Sequence, residues 1–372
     1  MSPSTDPGLV AITGANGTIG YHSTLHALRT GYRVRCIVRR ESAIQDIKAG
    51  PSIQKYIDEA NGKVEFKVVQ DNTVEGAYDE VLRGVEWVVH VAGVWPLPHY
   101  HPDNDVYYPF VKSMENILSA ATKAGTVKRI VFTQAAAALV SVDKGDSYGT
   151  CMESVLDEFV PVSEQSSNTR PPLPSVHHAY SSAKANCMTH LRSLQASHSL
   201  PFSIVQVIPG TVIGPSELIT TPTSALATMD RMSKALLFNA HTPRYAFGFV
   251  HVADCAAVHI EALNTTKVRD SAIPHWFVAA ATTEGDVKNG KEVWRRTGEM
   301  VEREFKREIG EGMVSVGRER CPVNMPFRVD SKMTERVLLA GERMRGLEEC
   351  VREVGEWYLG LVRGEREREK GW

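Results

Sequence analysis

The chain has 372 residues, room for about two domains at roughly 100 to 200 residues each. Hydrophobic residues make up 42% and charged residues 23%, the composition of an ordinary globular protein. Lys+Arg 42 against Asp+Glu 44 leaves a net charge of -2, which excludes the basic surplus of a nucleic-acid binder. No run approaches the ~18 consecutive apolar residues of a membrane span, and the start, Met1 to Gly8, is polar with two prolines rather than charged then apolar, so a secretory signal is not expected. No nucleic-acid or membrane partner is therefore expected, and a cytoplasmic location is.

Leu9 to Thr13 is a short apolar run of strand formers, followed at once by Gly14-Ala-Asn-Gly17-Thr-Ile-Gly20 and a helical pattern through Leu25 and Leu28 to Gly31. Tyr32 to Val38 reads as a second strand, which closes a unit of about 30 residues, the length of a dinucleotide-binding βαβ. Gly14 permits the tight turn, Gly17 lets backbone approach a pyrophosphate, and Gly20 lets helix pack on strand. The helix N-terminus then offers amide donors and a positive dipole to phosphate. At the end of the second strand an NAD site places a carboxylate for the ribose hydroxyls. Here Arg39 and Arg40 stand there, which favours the 2′-phosphate of NADP(H); Glu41 is the dissenting carboxylate.

After the fourth strand comes a loop dense in aromatics and proline, Gly93 to Asp105, in the position where doubly wound folds bind ligands. Val94, Trp95 and His99, with Pro96 and Tyr100, are candidate walls of an apolar pocket. His90, His99 and His101 lack a carboxylate companion at ligand spacing, so no metal is expected. Ser141 to His178 is a long insertion whose stretch Ser163 to Pro174 reads as surface loop, with a lid as the alternative. Tyr180-Ser-Ser-Ala-Lys184 places two reactive side chains on one face of a helix. Thr297, Val301, Phe305 and Ile309 mark an amphipathic helix, Val351 to Leu361 a last helix, and Arg363 to Trp372 a solvated tail. The six cysteines are scattered, with no CxxC pair, and read as reduced thiols.

The order of these motifs resembles the extended short-chain dehydrogenase/reductase family, in its dihydroflavonol reductase-like branch, over nearly the whole chain. The glycine spacing is GxxGxxG. Val68 to Asn72 resembles the strand end whose Asp contacts adenine, Val88 to Gly93 the HxA motif, and Val111 to Leu118 the helix with a buried Asn at Asn116. Ile208 to Pro215 resembles the segment flanking the nicotinamide, Phe249 to Asp254 the HVxD signature, and Val329 to Lys332 with Leu347-Glu348 the family's ending. The resemblance implies cofactor contacts from Gly14, Asn16, Gly17, Thr18, Ile19 and Gly20, then from Arg39, Asp71 and Asn72. It adds Val91, Ala92 and Gly93, the pair Tyr180 and Lys184, and finally Pro209 and Thr211. Tyr180 is then the proton donor, and Lys184 lowers its pKa and holds the nicotinamide ribose.

One partner is missing. The family ends its fifth strand with a serine that binds the substrate oxygen, in a phrase such as FTSS, whereas this chain reads Phe132-Thr133-Gln134-Ala135, with Ala135 at the serine's place. Losing one such donor costs roughly 100- to 1000-fold in rate. Three accounts stay open: Thr133, or Ser141 or Ser147 beyond it, supplies the hydroxyl; the nucleotide supports a non-redox isomerisation, cyclisation or elimination; or the substrate brings its own hydroxyl.

The expected architecture is α/β, a Rossmann-type doubly wound parallel sheet with a smaller mixed C-terminal substrate lobe. Residues 1–210 should form the NADP-binding domain, with a return segment near 245–262, and 211–372 the substrate lobe and C-terminal helices. The expected activity is NADPH-dependent reduction of a carbonyl on a small hydrophobic or aromatic metabolite, by a monomer or homodimer. A nucleotide-sensing regulator is the rival outside catalysis, and the intact Tyr180 and Lys184 argue against it.

Overall fold

The structure is a computed structural model that describes residues 7–58, 62–139, 155–162, 164–240, 248–282, 288–317 and 329–370. In chain order it runs β1 (Leu9–Thr13), α1 (Thr18–Arg29), β2 (Arg33–Val38), α2 (Glu41–Lys48), α3 (Pro51–Ile57), β3 (Val64–Val68) and β4 (Trp87–His90). A one-turn π-helix, Pro102–Tyr107, leads into α4 (Tyr108–Ala124), then β5 (Arg129–Thr133), α5 (Glu164–Asn168), α6 (Val176–Ala196), β6 (Ser203–Pro209) and β7 (Thr211–Ile213). The chain continues with α7 (Pro222–Thr228), α8 (Arg231–Phe238), β8 (Phe249–His251), α9 (Val252–Glu261), β9 (Phe277–Ala279), α10 (Lys288–Glu304), α11 (Lys306–Gly310), α12 (Lys332–Leu338) and α13 (Leu347–Lys370).

Seven strands form one parallel sheet in the order β3-β2-β1-β4-β5-β6-β9, with the reversal beside β1 that makes a doubly wound fold. Strand periodicity sorts the core into two layers. Val10, Ile12, Val131 and Val207 face one side with Tyr21 and Leu25 of α1 and Val258 of α9. Leu9, Ala11, Ile130 and Phe132 face the other with Met114 and Ile117 of α4 and Leu191 of α6. A charge at a strand start is tolerated because it is saturated: fully buried Arg129 donates to Ser203 Oγ at 2.8 Å, the carbonyls of Ala262 (3.0 Å) and Val268 (2.7 Å), and Asp270 Oδ1 at 2.6 Å.

The return to this sheet reaches further than 245–262. Helix α9 packs on α1, and the chain then adds β9 at the sheet edge, where Val207 pairs Phe277 and Pro209 pairs Ala279. Residues 277–279 therefore belong to the main sheet rather than to the C-terminal lobe. That lobe holds the two-stranded parallel sheet β7–β8, with α13 packed on α7, α8 and α10.

The amphipathic repeat expected through Ile309 is split. Helix α10 ends at Glu304 and α11 starts at Lys306, with Phe305 buried at the break. The expected tail continues α13 to Lys370 instead, and Arg363 reaches Glu308 at 2.9 Å. The expected surface loop from 163 carries the short helix α5, with Ser166 Oγ at 3.3 Å from Ser181 Oγ on α6. Residues 155–162 pack beside β9: Asp157 O accepts from Trp276 Nε1 at 3.2 Å, and Glu158 accepts from the amide and hydroxyl of Thr334 at 2.8 and 2.7 Å. Of the six cysteines, Cys36, Cys187, Cys255 and Cys350 are free and buried, while Cys151 and Cys321 lie outside the described residues.

Candidate active site

The glycine turn between β1 and α1 is shaped by two close approaches. Gly14 sits at φ +66°, and a Cβ there would stand 3.2 Å from the backbone of Ala92, so this turn and the loop after β4 touch. A Cβ on Gly20 would overlap the Gly14 carbonyl oxygen. Gly17 caps α1 and lies exposed with Thr18, while Asn16 and Ile19 are half-buried. The first turn of α1 carries no acidic side chain to oppose a phosphate. With Gly17 and Thr18 exposed and no acidic residue in the first turn of α1, the residues present fit a dinucleotide.

Behind the cradle lies a relay that sequence reading did not resolve. Thr13 Oγ1 accepts from the amides of Val91 (3.1 Å) and Ala92 (3.0 Å), so its own hydrogen points to His90 Nδ1 at 3.0 Å. Burial drives the His90 pKa down to about 3, hence the ring is neutral, with its proton on Nε2 facing Ser113 Oγ at 3.3 Å. Ser113 also accepts from Asn72 Nδ2 at 2.9 Å, and Asn116 holds the same loop through the carbonyls of Asn72 and Val74, each at 2.9 Å. The HxA histidine thus ties together the loops after β1, β3 and β4. The amides of Val91 and Ala92 are spent on this relay, and Gly93 just beyond them is exposed.

At the carboxyl end of β2, Arg39 continues the strand directly, is exposed, and has no ion pair among the described residues. Arg40 is the N-cap of α2, and Glu41 its first residue. Asp71 is exposed and accepts from Thr73 N at 2.8 Å and Thr73 Oγ1 at 2.7 Å, bonds that hold its carboxyl below the usual range. Pro209 ends β6 and Thr211 starts β7, both half-buried, around a Gly210 amide that donates to Ala279 O at 2.9 Å.

Tyr180 and Lys184 lie one turn apart on α6, whose N-cap Ser175 accepts from His178 N at 3.3 Å. His177 is exposed, and His178 is bonded back to Ser175. The Lys184 ammonium donates to Thr133 O at 2.8 Å and stands 4.4 Å from the centre of the Phe110 ring. Phe110 meets Tyr180 edge-on at 5.5 Å, and Trp95, 65% exposed, meets it at 6.4 Å. Burial pushes the Tyr180 phenol up to about 12 and the Lys184 ammonium down to about 8. The groups facing Lys184 add little: His90 is neutral, and burial pushes the Cys187 thiol up to about 12. Dinucleotide affinity is therefore expected to fall as pH rises through about 8, by up to tenfold per pH unit, because the ammonium that the bound nucleotide favours is lost. A fluorescence titration of cofactor against pH reads this, and Lys184→Met should flatten the profile; an unchanged slope in that variant would assign it to another group.

Thr133 requires a correction. By strand alternation its side chain joins Val131 on the α9 face, and its hydroxyl bonds His259 Nε2 at 2.9 Å. It touches Lys184 through its carbonyl instead. Ser141 and Ser147 lie outside the described residues. In the substrate loop Val94 is half-buried against Phe110's cluster, and exposed His99 packs edge-on to Tyr100 at 4.7 Å. His101 caps the π-helix, accepting from Asp103 N at 3.2 Å and Asn104 N at 3.3 Å. The HVxD residues clasp the C-terminal segment: His251 Nε2 lies 2.9 Å from Glu353, and Asp254 Oδ2 accepts from Arg345 N at 2.8 Å. Phe110, packed against both Tyr180 and Lys184, is the side chain of the candidate site that the sequence motifs left unmarked.

The sequence model described as "NAD dependent epimerase/dehydratase family" matches residues 10–273. The chain is 27% identical to an NAD-dependent epimerase/dehydratase of Alternaria alternata, across 95% of this chain and 98% of that protein. It is 28% identical to a ketoreductase of Aspergillus fumigatus, across 94% of this chain and 97% of that protein. Among solved structures, yeast methylglyoxal/isovaleraldehyde reductase complexed with NADPH aligns at a TM-score of 0.69 with 19% identity, over 95% of this chain and 99% of that one.

Proposed function

The chain belongs to the NAD dependent epimerase/dehydratase family, and from that premise we propose that it is an NADPH-dependent reductase of a carbonyl group on a small hydrophobic or aromatic molecule. The observation that carries the reading is the pair on α6: Lys184 bonded to the end of β5 and Tyr180 one turn before it, between two aromatic rings. Relatives named as ketoreductases and structural neighbours named as reductases support it.

When bound, the dihydronicotinamide supplies a hydride. Tyr180, neutral because its pKa lies near 12, is in the protonation state needed to deliver a proton from its hydroxyl to the carbonyl oxygen. Lys184 holds the ribose hydroxyls and stabilises the phenolate left behind. Trp95 and Phe110 shield the reacting carbon from water, and the cradle of Gly14, Gly17 and Gly20 with Asp71, Asn72 and Arg39 holds the rest of NADPH. Residues up to Pro209, with α9 and β9, form the nucleotide half, and the remaining C-terminal elements cover the substrate of a cytoplasmic monomer or homodimer.

Ala135 favours a second reading, a non-redox isomerase, cyclase or dehydratase on the same fold. Incubation with NADPH and a series of ketones, followed by the absorbance of the reduced nicotinamide, separates the two. Oxidation of one NADPH per alcohol formed is expected; product formed without net cofactor consumption would overturn the reductase reading.

A further inference from the structure

Tyr180 and Lys184 come from one helix, and a ring that meets both comes from another. Phe110 lies in the first turn of α4, directly after Pro109, and is buried. Its ring centre stands 4.4 Å from Lys184 Nζ, the distance of a cation over an aromatic face. The same ring lies 5.5 Å from that of Tyr180 at an interplanar angle of 73°, an edge-to-face pair. Space for it is made by the loop after β4. A Cβ added at Gly93 would stand 2.6 Å from Phe110 Cε1 and 3.2 Å from Cζ, so any side chain there would push the ring away. Phe110 is therefore wedged between Gly93 on one side and the turn of α6 that bears the pair. The Lys184 ammonium is held from two elements, by this ring of α4 and by Thr133 O at the end of β5, 2.8 Å away.

We propose that Phe110 is a positioning residue for the reduction: its π face keeps the Lys184 side chain charged and in place, and the same ring braces that of Tyr180. This deepens the reductase reading and rests on it, since the braced pair is the one that reading assigns to the ribose and to the proton. A half-buried ammonium has lost hydration, and the negative face of a ring restores part of the stabilisation. Without that face the ammonium gives up its proton more readily. The Lys184 pKa then drops below its value of about 8, and the loss of dinucleotide affinity begins at a lower pH. Among the described residues the neighbours keep their charge across this window. His90 of β4 is neutral, and burial pushes Tyr180 and Cys187 of α6 up to about 12. On the π-helix packed against α6, Asp103 accepts from Leu173 N at 3.0 Å and Asp105 from His101 N at 2.8 Å. Lys112 and Glu115 of α4 and Glu164 of α5 are exposed.

The test alters the charge distribution of the ring and keeps its shape. 4-Fluorophenylalanine and 3,4,5-trifluorophenylalanine are placed at position 110 of the full chain, alongside Phe110→Leu, and NADPH binding is followed against pH by the fluorescence of the reduced nicotinamide. Fluorine drains the π face, so the midpoint of the affinity loss should fall stepwise, by roughly 0.5 to 1.5 pH units for the trifluoro ring. Groups elsewhere titrate alike in every member of the series, so a graded shift belongs to the ring. Phe110→Leu should move the midpoint about as far as the trifluoro ring does. At low pH, with Lys184 charged in all the proteins, it should also lower kcat roughly tenfold on a ketone that the wild type reduces, because Tyr180 has lost its brace. The fluorinated chains should keep kcat there within about twofold, since their rings still pack on Tyr180. Midpoints that coincide across the series overturn the proposal and leave the reductase reading standing. So does a midpoint moved by leucine and not by fluorine, or wild-type kcat in Phe110→Leu. If the wild type binds NADPH but oxidises it with no ketone, the reductase reading fails and the proposal with it. Should Phe110→Leu not fold, the fluorinated series decides.

Discussion

Tyr180→Phe is expected to lower kcat for carbonyl reduction by roughly 100- to 10,000-fold, the range that a positioned general acid contributes. Affinity for NADPH should stay within about fivefold, since only one ordinary hydrogen bond is removed from the ribose side. The two effects separate because the phenol ring does two jobs. Its edges pack against Phe110 and Trp95, contacts that phenylalanine keeps. Its hydroxyl is the group with a proton to give, since burial keeps it neutral well above pH 7. The fall must therefore appear in single-turnover hydride transfer with the circular dichroism spectrum and cofactor affinity preserved. Turnover equal to wild type would mean that the proton arrives by another route, and Tyr180 would be reduced to a wall of the pocket.

Much of the molecule is legible from local pattern because each of those features depends on neighbours in sequence. The strand, turn and helix of 9–29 follow from an apolar run, three glycines and a helical period, and the pair on α6 follows from four-residue spacing. What escaped reading depends on where a strand stops and what lies across the sheet. Thr133 and Ala135 would share a face if β5 ran on, but β5 ends at Thr133, whose side chain looks down at His259 while Ala135 begins the turn along α6. His259 sits 126 residues away and Phe110 on another helix, and no periodicity joins either to Tyr180. Strand β9, three residues long, carries too little pattern to announce that the chain comes back to the sheet after the smaller lobe has begun.

The motif HVxD shows the complementary case, a pattern that is easy to read and whose purpose is architectural. His251 and Asp254 spend their polar atoms on Glu353 and Arg345, and so fasten α13 across the start of α9, the helix that supports both α1 and Thr133. The same economy appears in the relay of Thr13, His90 and Ser113, which spends amides near the glycine turn to fix the shape of three loops. Both networks lie behind the reactive surface, and their effect reaches chemistry only through the loops and helices they hold.

Cofactor choice turns on two residues, and Arg39→Ala is expected to weaken NADPH by roughly 10- to 100-fold, the worth of charge-assisted hydrogen bonds to one phosphate, while NADH changes little. The geometry ranks Arg39 above Glu41. Arg39 extends β2 at the strand's carboxyl end, where the adenosine ribose meets a doubly wound sheet, and no carboxylate among the described residues pairs with it. Glu41 has already turned into the first residue of α2, where its charge favours that helix's N-terminus. Because Arg39 is exposed, its attraction for the 2′-phosphate is screened, so added salt should erode NADPH affinity in the wild type more steeply than in the variant. Dissociation constants for both cofactors, measured at low and high salt, decide the matter. Equal losses for NADPH and NADH would remove the 2′-phosphate from Arg39, and a swing toward NADPH on Glu41→Gln would give the selection to the carboxylate.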